Sequence, residues 1–136
     1  MLELMLVIAV IGIIIVGLMT TLFRPRMVAN ETSAIASLKA LITAENQYAT
    51  AYGSRYGDLS TLSSTTPPYV DAVLGGCRKS GYTFILVTQN FGSGFHVHAN
   101  PVVPGKTATR FFYVDDNGVI RFNLVQQAES GDRPME

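Results

Sequence analysis

An apolar stretch over residues 1–23 dominates this sequence, and it reads MLELMLVIAVIGIIIVGLMTTLF. Glu3 is the one charged residue in it. As a helix, the stretch would extend about 34 Å, which is enough to cross the hydrocarbon core of a bilayer. An ionised carboxylate in hydrocarbon costs at least about 2.5 kcal/mol. Glu3 therefore needs either a partner or a place near the helix start, where the helix dipole favours negative charge.

The same stretch differs from a cleaved signal peptide, which has a basic start, a shorter apolar core and a small-residue cleavage site. Here there is no basic start, the core is longer, and no such site precedes Arg24. We therefore expect the segment to be retained. The simpler alternative is an ordinary single-span anchor, but such an anchor has no use for an acidic residue near its start.

Helical spacing continues beyond the apolar stretch, over residues 24–53. The apolar positions are Val28, Ile35, Leu38, Leu41, Ile42, Tyr48, Ala49 and Tyr52. The polar positions assigned to the opposite face are Asn30, Thr32, Ser33, Lys39, Glu45 and Asn46. This pattern predicts an amphipathic helix that packs its apolar side on a globular head and ends at Tyr52, with Gly53 as the C-terminal cap.

The junction between the two helical halves is predicted to be distorted somewhere within residues 18–26. Gly17 loosens the helix upstream, and Pro25 removes one backbone donor. Thr21 can compete for backbone carbonyl groups. A kink or a locally extended stretch is the expected result.

The remaining chain changes from helical spacing to strand spacing. Residues 54–68 are predicted to be a loop, residues 69–74 a short helical turn, and residues 130–136 a frayed tail. Alternating aromatic and β-branched residues predict four strands, over residues 82–88, 95–99, 110–114 and 119–123. Asp115 to Gly118 is a predicted hairpin turn because Asn-Gly favours positive φ.

These elements predict an α+β fold, in which the second half of a long N-terminal helix packs on a four-stranded antiparallel sheet. The predicted divisions are a membrane or filament-core helix (1–23), its amphipathic continuation (24–53), and a β-sheet head (54–136). The head and residues 24–53 together form one domain.

Sites with their own chemistry are few. His96 and His98 alternate along one predicted strand, and we expect both to face solvent. Two ligands alone do not make a metal site. Asp115, Asp116 and Asn117 offer oxygen ligands, although a turn already explains them. Cys77 is the single cysteine and is expected to be buried, with an exposed thiol as the alternative. We predict no catalytic site, no metal and no cofactor.

The formal net charge is zero, so no overall field draws in nucleic acid, and none is predicted as a partner. The Ser/Thr-rich run from Ser60 to Thr66 is able to accept O-linked sugars, although a solvated connector is the simpler interpretation.

The segment from Glu3 through Leu4, Met5, Leu6, Val7, Ile8, Ala9, Val10 and Ile11 to Gly12 resembles the N-terminal segment of type IV pilins and type II secretion pseudopilins. Looser similarity to pilin-like proteins covers residues 26–31, residues 81–84 and the hairpin over residues 111–122. Two positions depart from the family pattern. The family has four residues before the glutamate where this chain has two, and a proline where this chain has Thr20. We expect that two mature residues and a leader are missing from the chain, or that it lacks the usual terminus.

The resemblance implies a subunit that waits in the inner membrane as a single-pass protein with its head outside. The pilus assembly machinery then extracts it into a helical filament of identical subunits. In that family the glutamate matching Glu3 pairs with the N-terminal amine of a neighbouring subunit. Other copies of the chain would bury one set of apolar side chains, namely Met5, Ile8, Ile11, Ile15 and Leu18. The alternatives are a pseudopilin of a periplasmic secretion filament and a membrane-tethered binding domain that never polymerises.

Overall fold

The computed structural model describes residues 1–19 and 23–135 as an α+β fold, which confirms the predicted class. Its helices are α1 (Leu2–Met19), α2 (Phe23–Ala51), α3 (Leu59–Ser64) and α4 (Ala72–Gly75). Its strands are β1 (Arg78–Lys79), β2 (Tyr82–Gln89), β3 (Gly94–Pro101), β4 (Phe111–Asp115), β5 (Arg121–Asn123) and β6 (Arg133–Pro134).

The strands form one antiparallel sheet in which sequence neighbours are also spatial neighbours, in the order β1-β2-β3-β4-β5-β6. The sheet has six strands, so the prediction of four was wrong. The two additional strands, β1 and β6, have two residues each, which is too short for an alternating pattern to be visible. The predicted frayed tail therefore contains β6, and the amide of Met135 donates to the carbonyl of Ile120 at 2.8 Å. Glu136 lies outside the described residues.

One face of α2 packs on the inner face of the sheet, as the helical spacing predicted. The helix contributes Ala34, Leu38, Leu41 and Ala44 to the core, and the sheet contributes Tyr82, Phe84, Phe95, Val97, Phe112 and Val114. Val28 and Tyr52 were assigned to the same stripe, but they are 62% and 53% exposed. Val28 lies two residues before Asn30, whose side chain hydrogen-bonds the head, and Tyr52 stacks on Tyr48 with a centroid distance of 4.4 Å.

The end of α2 follows the predicted capping geometry. Gly53 has a φ of 71°, in the left-handed region that glycine adopts without strain. The amide of Ser54 donates to the carbonyl of Ala49 at 2.7 Å, so a terminal carbonyl of the helix is satisfied.

The predicted loop over residues 54–68 was wrong in its middle, which forms α3. The Asp58 side chain accepts a hydrogen bond from the amide of Thr61 at 2.7 Å and so caps the helix start. Leu59 and Leu62 lie three residues apart and are both buried, which anchors the short helix to the core. Packing of these two leucines outweighs the low helix propensity of the surrounding Ser and Thr residues.

The turn between β4 and β5 is closed by the amide of Gly118, which donates to the carbonyl of Asp115 at 2.9 Å. Gly118 has a φ of 75°, whereas Asn117 does not have positive φ. The predicted turn is therefore present, but only its glycine uses the left-handed region.

Glu31 fastens the start of α2 to the loop before β4. Its Oε1 accepts hydrogen bonds from the Thr109 amide (3.0 Å), the Thr109 hydroxyl (2.8 Å) and the Arg110 amide (3.2 Å). The Arg110 Nε lies 3.6 Å from Glu31 Oε2. The neighbouring Asn30 donates from its side chain to the Thr107 carbonyl at 2.8 Å. Two successive residues of α2 thus hold this loop.

We expect Glu31→Ala to lower the free energy of unfolding of the head by roughly 2 kcal/mol, because three donors lose a charged acceptor. Urea unfolding followed by circular dichroism measures this loss. Thr32→Ala is the matched control, since the exposed Thr32 hydroxyl bonds one turn back to the Val28 carbonyl. Equal stability of the Glu31 and Thr32 variants would contradict a fastening role for Glu31.

Candidate functional site

The surface of α1 is the candidate assembly site. In the single chain, every side chain from Met1 to Gly17 is exposed. Met5, Ile8, Ile11 and Ile15, which were predicted to pack against other copies, are between 49% and 69% exposed. The side chain of Leu18, the fifth member of that set, lies outside the described part of the structure. The head therefore leaves these four side chains uncovered.

The sequence of α1 explains both its helical form and its exposure. Leu, Ile, Val and Met alternate around the whole circumference, so no polar side is left to face water. A helix that is apolar all round is stable when buried, either in a membrane or among other helices. Glu3 lies in the first turn and is exposed, where a carboxylate interacts well with the positive end of the helix dipole.

The predicted spanning stretch includes residues 20–22, which lie outside the described residues. Within residues 1–19 and 23–135, the structure contains no helix that is both long enough and apolar enough to span a membrane.

The three residues predicted to distort the helix lie within or close to residues 20–22. Gly17 lies in α1 and is exposed, and Pro25 is the third residue of α2 as described. Thr21 lies outside the described residues. Proline is tolerated in the first turn of a helix, because the amides there have no carbonyl partner within the helix.

Glu45 is the functional candidate that sequence reasoning placed wrongly. It was assigned to the solvent-facing side of α2, but it is completely buried. Its Oε2 accepts a hydrogen bond from the amide of Gly57 at 3.0 Å, while its Oε1 has no partner among the described residues. The pKa of this carboxyl is raised to about 7. Burial is the main cause and the nearby Asp58 charge adds to it, whereas the Gly57 hydrogen bond acts in the opposite direction. A signal was available, since Glu45 follows the buried Leu38 and Leu41 by seven and four residues.

The loop from α2 to α3 contacts Glu45 through the amide of Gly57. The ring of Tyr48 packs against Gly57, where an added Cβ would come within 3.2 Å of the ring. The amide of Tyr56 donates to the carbonyl of Gly92 at 2.9 Å, which joins the loop to the turn between β2 and β3. The Glu45 carboxyl thus links the helix to a loop that in turn holds one end of the sheet.

The two histidines lie on the outer face of the sheet, as alternation predicted, with Phe95 and Val97 turned inward. Their ring centroids are 5.2 Å apart, and the ring of Tyr113 lies beside both. The Nδ1 of His98 lies 3.1 Å from the carbonyl oxygen of Ala128. Burial lowers the pKa of His98, and the neighbouring His96 lowers it further.

Candidate metal ligands do not converge in the described part of the chain, where no group of three or more His, Cys, Asp and Glu residues is placed to hold an ion. The geometry around His98 instead favours a structural role, because its ring holds the segment after β5 against the sheet.

Cys77 was expected to be buried, and that prediction was wrong: its side chain is exposed. It follows Gly76, the C-terminal cap of α4, and has a φ of 63°, so the chain turns at this residue between α4 and β1. The backbone carbonyl of Cys77 itself accepts a hydrogen bond from the Phe84 amide at 2.8 Å. The backbone at this position thus pairs with the sheet although the side chain does not enter the core.

No protein-family model, curated protein or solved structure matches this chain. The similarity to pilins and pseudopilins therefore rests on the residues named in the sequence.

Proposed function

We propose that this chain is a structural subunit, a pilin, that polymerises into an extracellular type IV pilus-like filament. The observation that carries the proposal is the uncovered apolar surface of α1. Its exposed side chains from Leu4 to Val16 are apolar or Gly12, so transfer from water into an apolar environment is strongly favourable. Identical helices from neighbouring subunits supply such an environment in the assembled state, and the inner membrane supplies it beforehand.

Glu3 favours a role in assembly over a role as a simple membrane anchor. A simple anchor is stabilised by apolar side chains alone, and an acidic residue only weakens it. In a bundle of identical chains, a carboxylate and an amine become tolerable as a pair when each would be costly alone. The pilin resemblance supplies the partner, which is the N-terminal amine of the next subunit.

The division of labour between α1 and the rest of the chain supports the same function. The core of the head is built from α2, α3, α4 and the sheet, and no side chain of α1 that the structure describes, from Leu2 to Gly17, belongs to it. An assembly helix and a self-sufficient head suit a filament whose core and outer surface come from different parts of each subunit. The contacts between subunits then repeat without closing, which generates a fibre.

Deleting residues 1–23 is expected to give a soluble, folded and monomeric head, whereas the full chain assembles into filaments. The reason is that the deletion removes the exposed apolar helix but leaves the core intact. Negative-stain electron microscopy detects filaments, and sedimentation together with thermal unfolding tests the deleted chain.

Three outcomes would count against this proposal. Full-length chains that stay dispersed after removal of detergent would favour the tethered, non-polymerising domain. Short filaments that form only with other secretion components would favour the pseudopilin. A deleted chain without cooperative unfolding would contradict the division into helix and head.

A further inference from the structure

Phe91 is displayed at the tip of the turn between β2 and β3, with its ring fully exposed. Its backbone has φ 59° and ψ 34°, a left-handed conformation that bulky residues rarely adopt. The turn is fixed on both sides of this residue. The amide of Ser93 donates to the carbonyl of Gln89 at 3.0 Å, and the carbonyl of Gly92 accepts from the amide of Tyr56. An added Cβ at Gly92 would lie 3.0 Å from the Tyr56 carbonyl oxygen, so this contact is close.

This fixed turn gives Phe91 the properties of an interface residue. The backbone that carries the ring is fixed by hydrogen bonds, and the ring lies in solvent, away from the core of its own chain. Aromatic side chains that enter a pocket on a partner commonly dominate the energy of an interface.

A pocket of about 520 Å³ lies in the loop after β3 and is lined by Val103, Gly105, Lys106 and Thr107. The loop is ordered by its own hydrogen bonds. The Gly105 amide donates to the Ala108 carbonyl at 2.8 Å, and the Thr107 amide to the Val103 carbonyl at 2.9 Å. An enclosed apolar cavity of about 150 Å³ is enough for a benzene ring, so this pocket has room for a phenyl group. The ammonium group of Lys106 is suited to contact the face of such a ring.

The ring and the pocket lie at opposite ends of the head. Strand β3 begins at Gly94, beside the Phe91 turn, and ends at Pro101, beside the pocket. Eight residues of strand extend about 26 Å, so one chain is unable to fill its own pocket.

The pocket lies near the start of α2 and the Phe91 turn lies near its end, so the direction of α2 in the filament determines which of the two faces the next subunit. The pocket loop is held by Asn30, near the start of α2, through the Thr107 carbonyl. The Phe91 turn is held by the loop that follows the end of α2, through Tyr56. Subunits stacked with parallel helices therefore bring the Phe91 end of one head toward the pocket end of the next.

We propose that Phe91 of one chain inserts into the Val103–Thr107 pocket of a second copy, which joins successive heads in a head-to-tail contact. This inference rests on the proposed filament and names a contact between its heads. A projecting group that fits a pocket elsewhere on the same molecule generates a contact that repeats without closing. A second copy is the favoured occupant because both halves of the contact are present on each chain and lie at opposite ends of its head.

Cysteine cross-linking of assembled material tests the contact directly. In a Cys77→Ser background, which removes the exposed native thiol, we introduce Phe91→Cys and Val103→Cys together. After oxidation, the double variant should give a ladder of multimers on a non-reducing gel, because every chain carries both halves of the contact. Each single variant should remain monomeric, because its cysteine faces a residue without a thiol.

A substitution series measures the strength of the contact. Burial of a phenyl ring is lost in Phe91→Ser, so we expect the concentration needed for assembly to rise about tenfold or more. Phe91→Leu keeps an apolar side chain and should have a smaller effect. Val125→Ser is the matched control, since Val125 is also highly exposed and apolar but lies far along the chain in the segment after β5. Thermal unfolding establishes that each variant keeps the head folded.

The outcomes separate this contact from the filament itself. Normal assembly of Phe91→Ser, together with no ladder from filaments of the Phe91→Cys and Val103→Cys double variant, would overturn the contact and leave the proposed function standing. Dimers from Phe91→Cys alone would show that Phe91 meets its own equivalent, which also overturns the contact. If the full chain forms no filaments, the proposed function fails. The cross-link is then made on concentrated chains in detergent, and absence of the ladder there overturns the contact as well.

Discussion

Replacing Glu3 by alanine is expected to abolish filament assembly while the head stays folded. In the proposed filament, the carboxylate lies in an apolar bundle of α1 helices and pairs with the N-terminal amine of a neighbouring subunit. Removing one member of a buried pair costs roughly 3–5 kcal/mol, because the other charge is left without compensation. That loss corresponds to at least about a hundredfold weaker contact, and it recurs at every subunit. Sedimentation of filaments and electron microscopy measure the yield.

Two further variants sharpen this test. Glu3→Gln keeps the shape of the side chain without its charge, and it should fail to assemble nearly as completely as Glu3→Ala. Glu129→Ala removes an exposed acidic residue in the head and should assemble normally. Normal filaments at normal yield from Glu3→Ala would refute the pairing. Normal assembly of Glu3→Gln alone would show that hydrogen bonding, and not charge, is what Glu3 contributes.

Periodicity predicted the parts of this fold in which each element is long enough to show its repeat. The eight-residue strands β2 and β3 and the ends of α2 were predicted within a residue or two of their observed limits, whereas the buried face of α2 is shorter than the predicted stripe. The two-residue strands β1 and β6 were missed because pairing with a neighbour, and not an internal pattern, makes them strands. Helix α3 was missed because two buried leucines and the Asp58 cap determine it within a Ser- and Thr-rich run.

The candidate sites differ in how visible they are in the sequence. Glu3 is conspicuous, since a single carboxylate in an apolar helix violates the local pattern. Glu45 is less visible, because a carboxylate on an amphipathic helix normally faces water, and only its spacing to Leu38 and Leu41 points to the buried side. The exposure of Phe91 and Cys77 depends on positive backbone φ, a property of each turn that composition does not reveal for residues other than glycine.

Raising the pH from about 5 to about 8 is expected to destabilise the head through Glu45. The carboxyl is fully buried, and its pKa in the folded chain is raised from 4.5 to about 7, chiefly by burial. Between these two values the folded chain keeps a proton that the unfolded chain has released. Stability therefore falls as the pH rises across this interval and levels off above it. At about 1.36 kcal/mol per pH unit, the interval corresponds to roughly 3 kcal/mol.

Other groups titrate in the same experiment, but with different signs or at different pH. The lowered pKa of His98 makes stability rise with pH just below 6.5, which opposes the contribution of Glu45. The lowered pKa values of Asp58 and Asp71 affect stability below about 3.8, outside the range measured. A comparison of variants across the same pH range is therefore needed to isolate Glu45.

Glu45→Gln is the variant that isolates it, because the amide oxygen still accepts from Gly57 but the side chain no longer titrates. Urea unfolding of full-length chains held monomeric in detergent, at about pH 5 and about pH 8, gives the change in stability for each variant. The wild type and the Glu129→Gln control should lose stability as the pH rises, whereas Glu45→Gln should lose none or become slightly more stable as His98 deprotonates. An equal loss in Glu45→Gln and the wild type would show that another group causes the pH dependence.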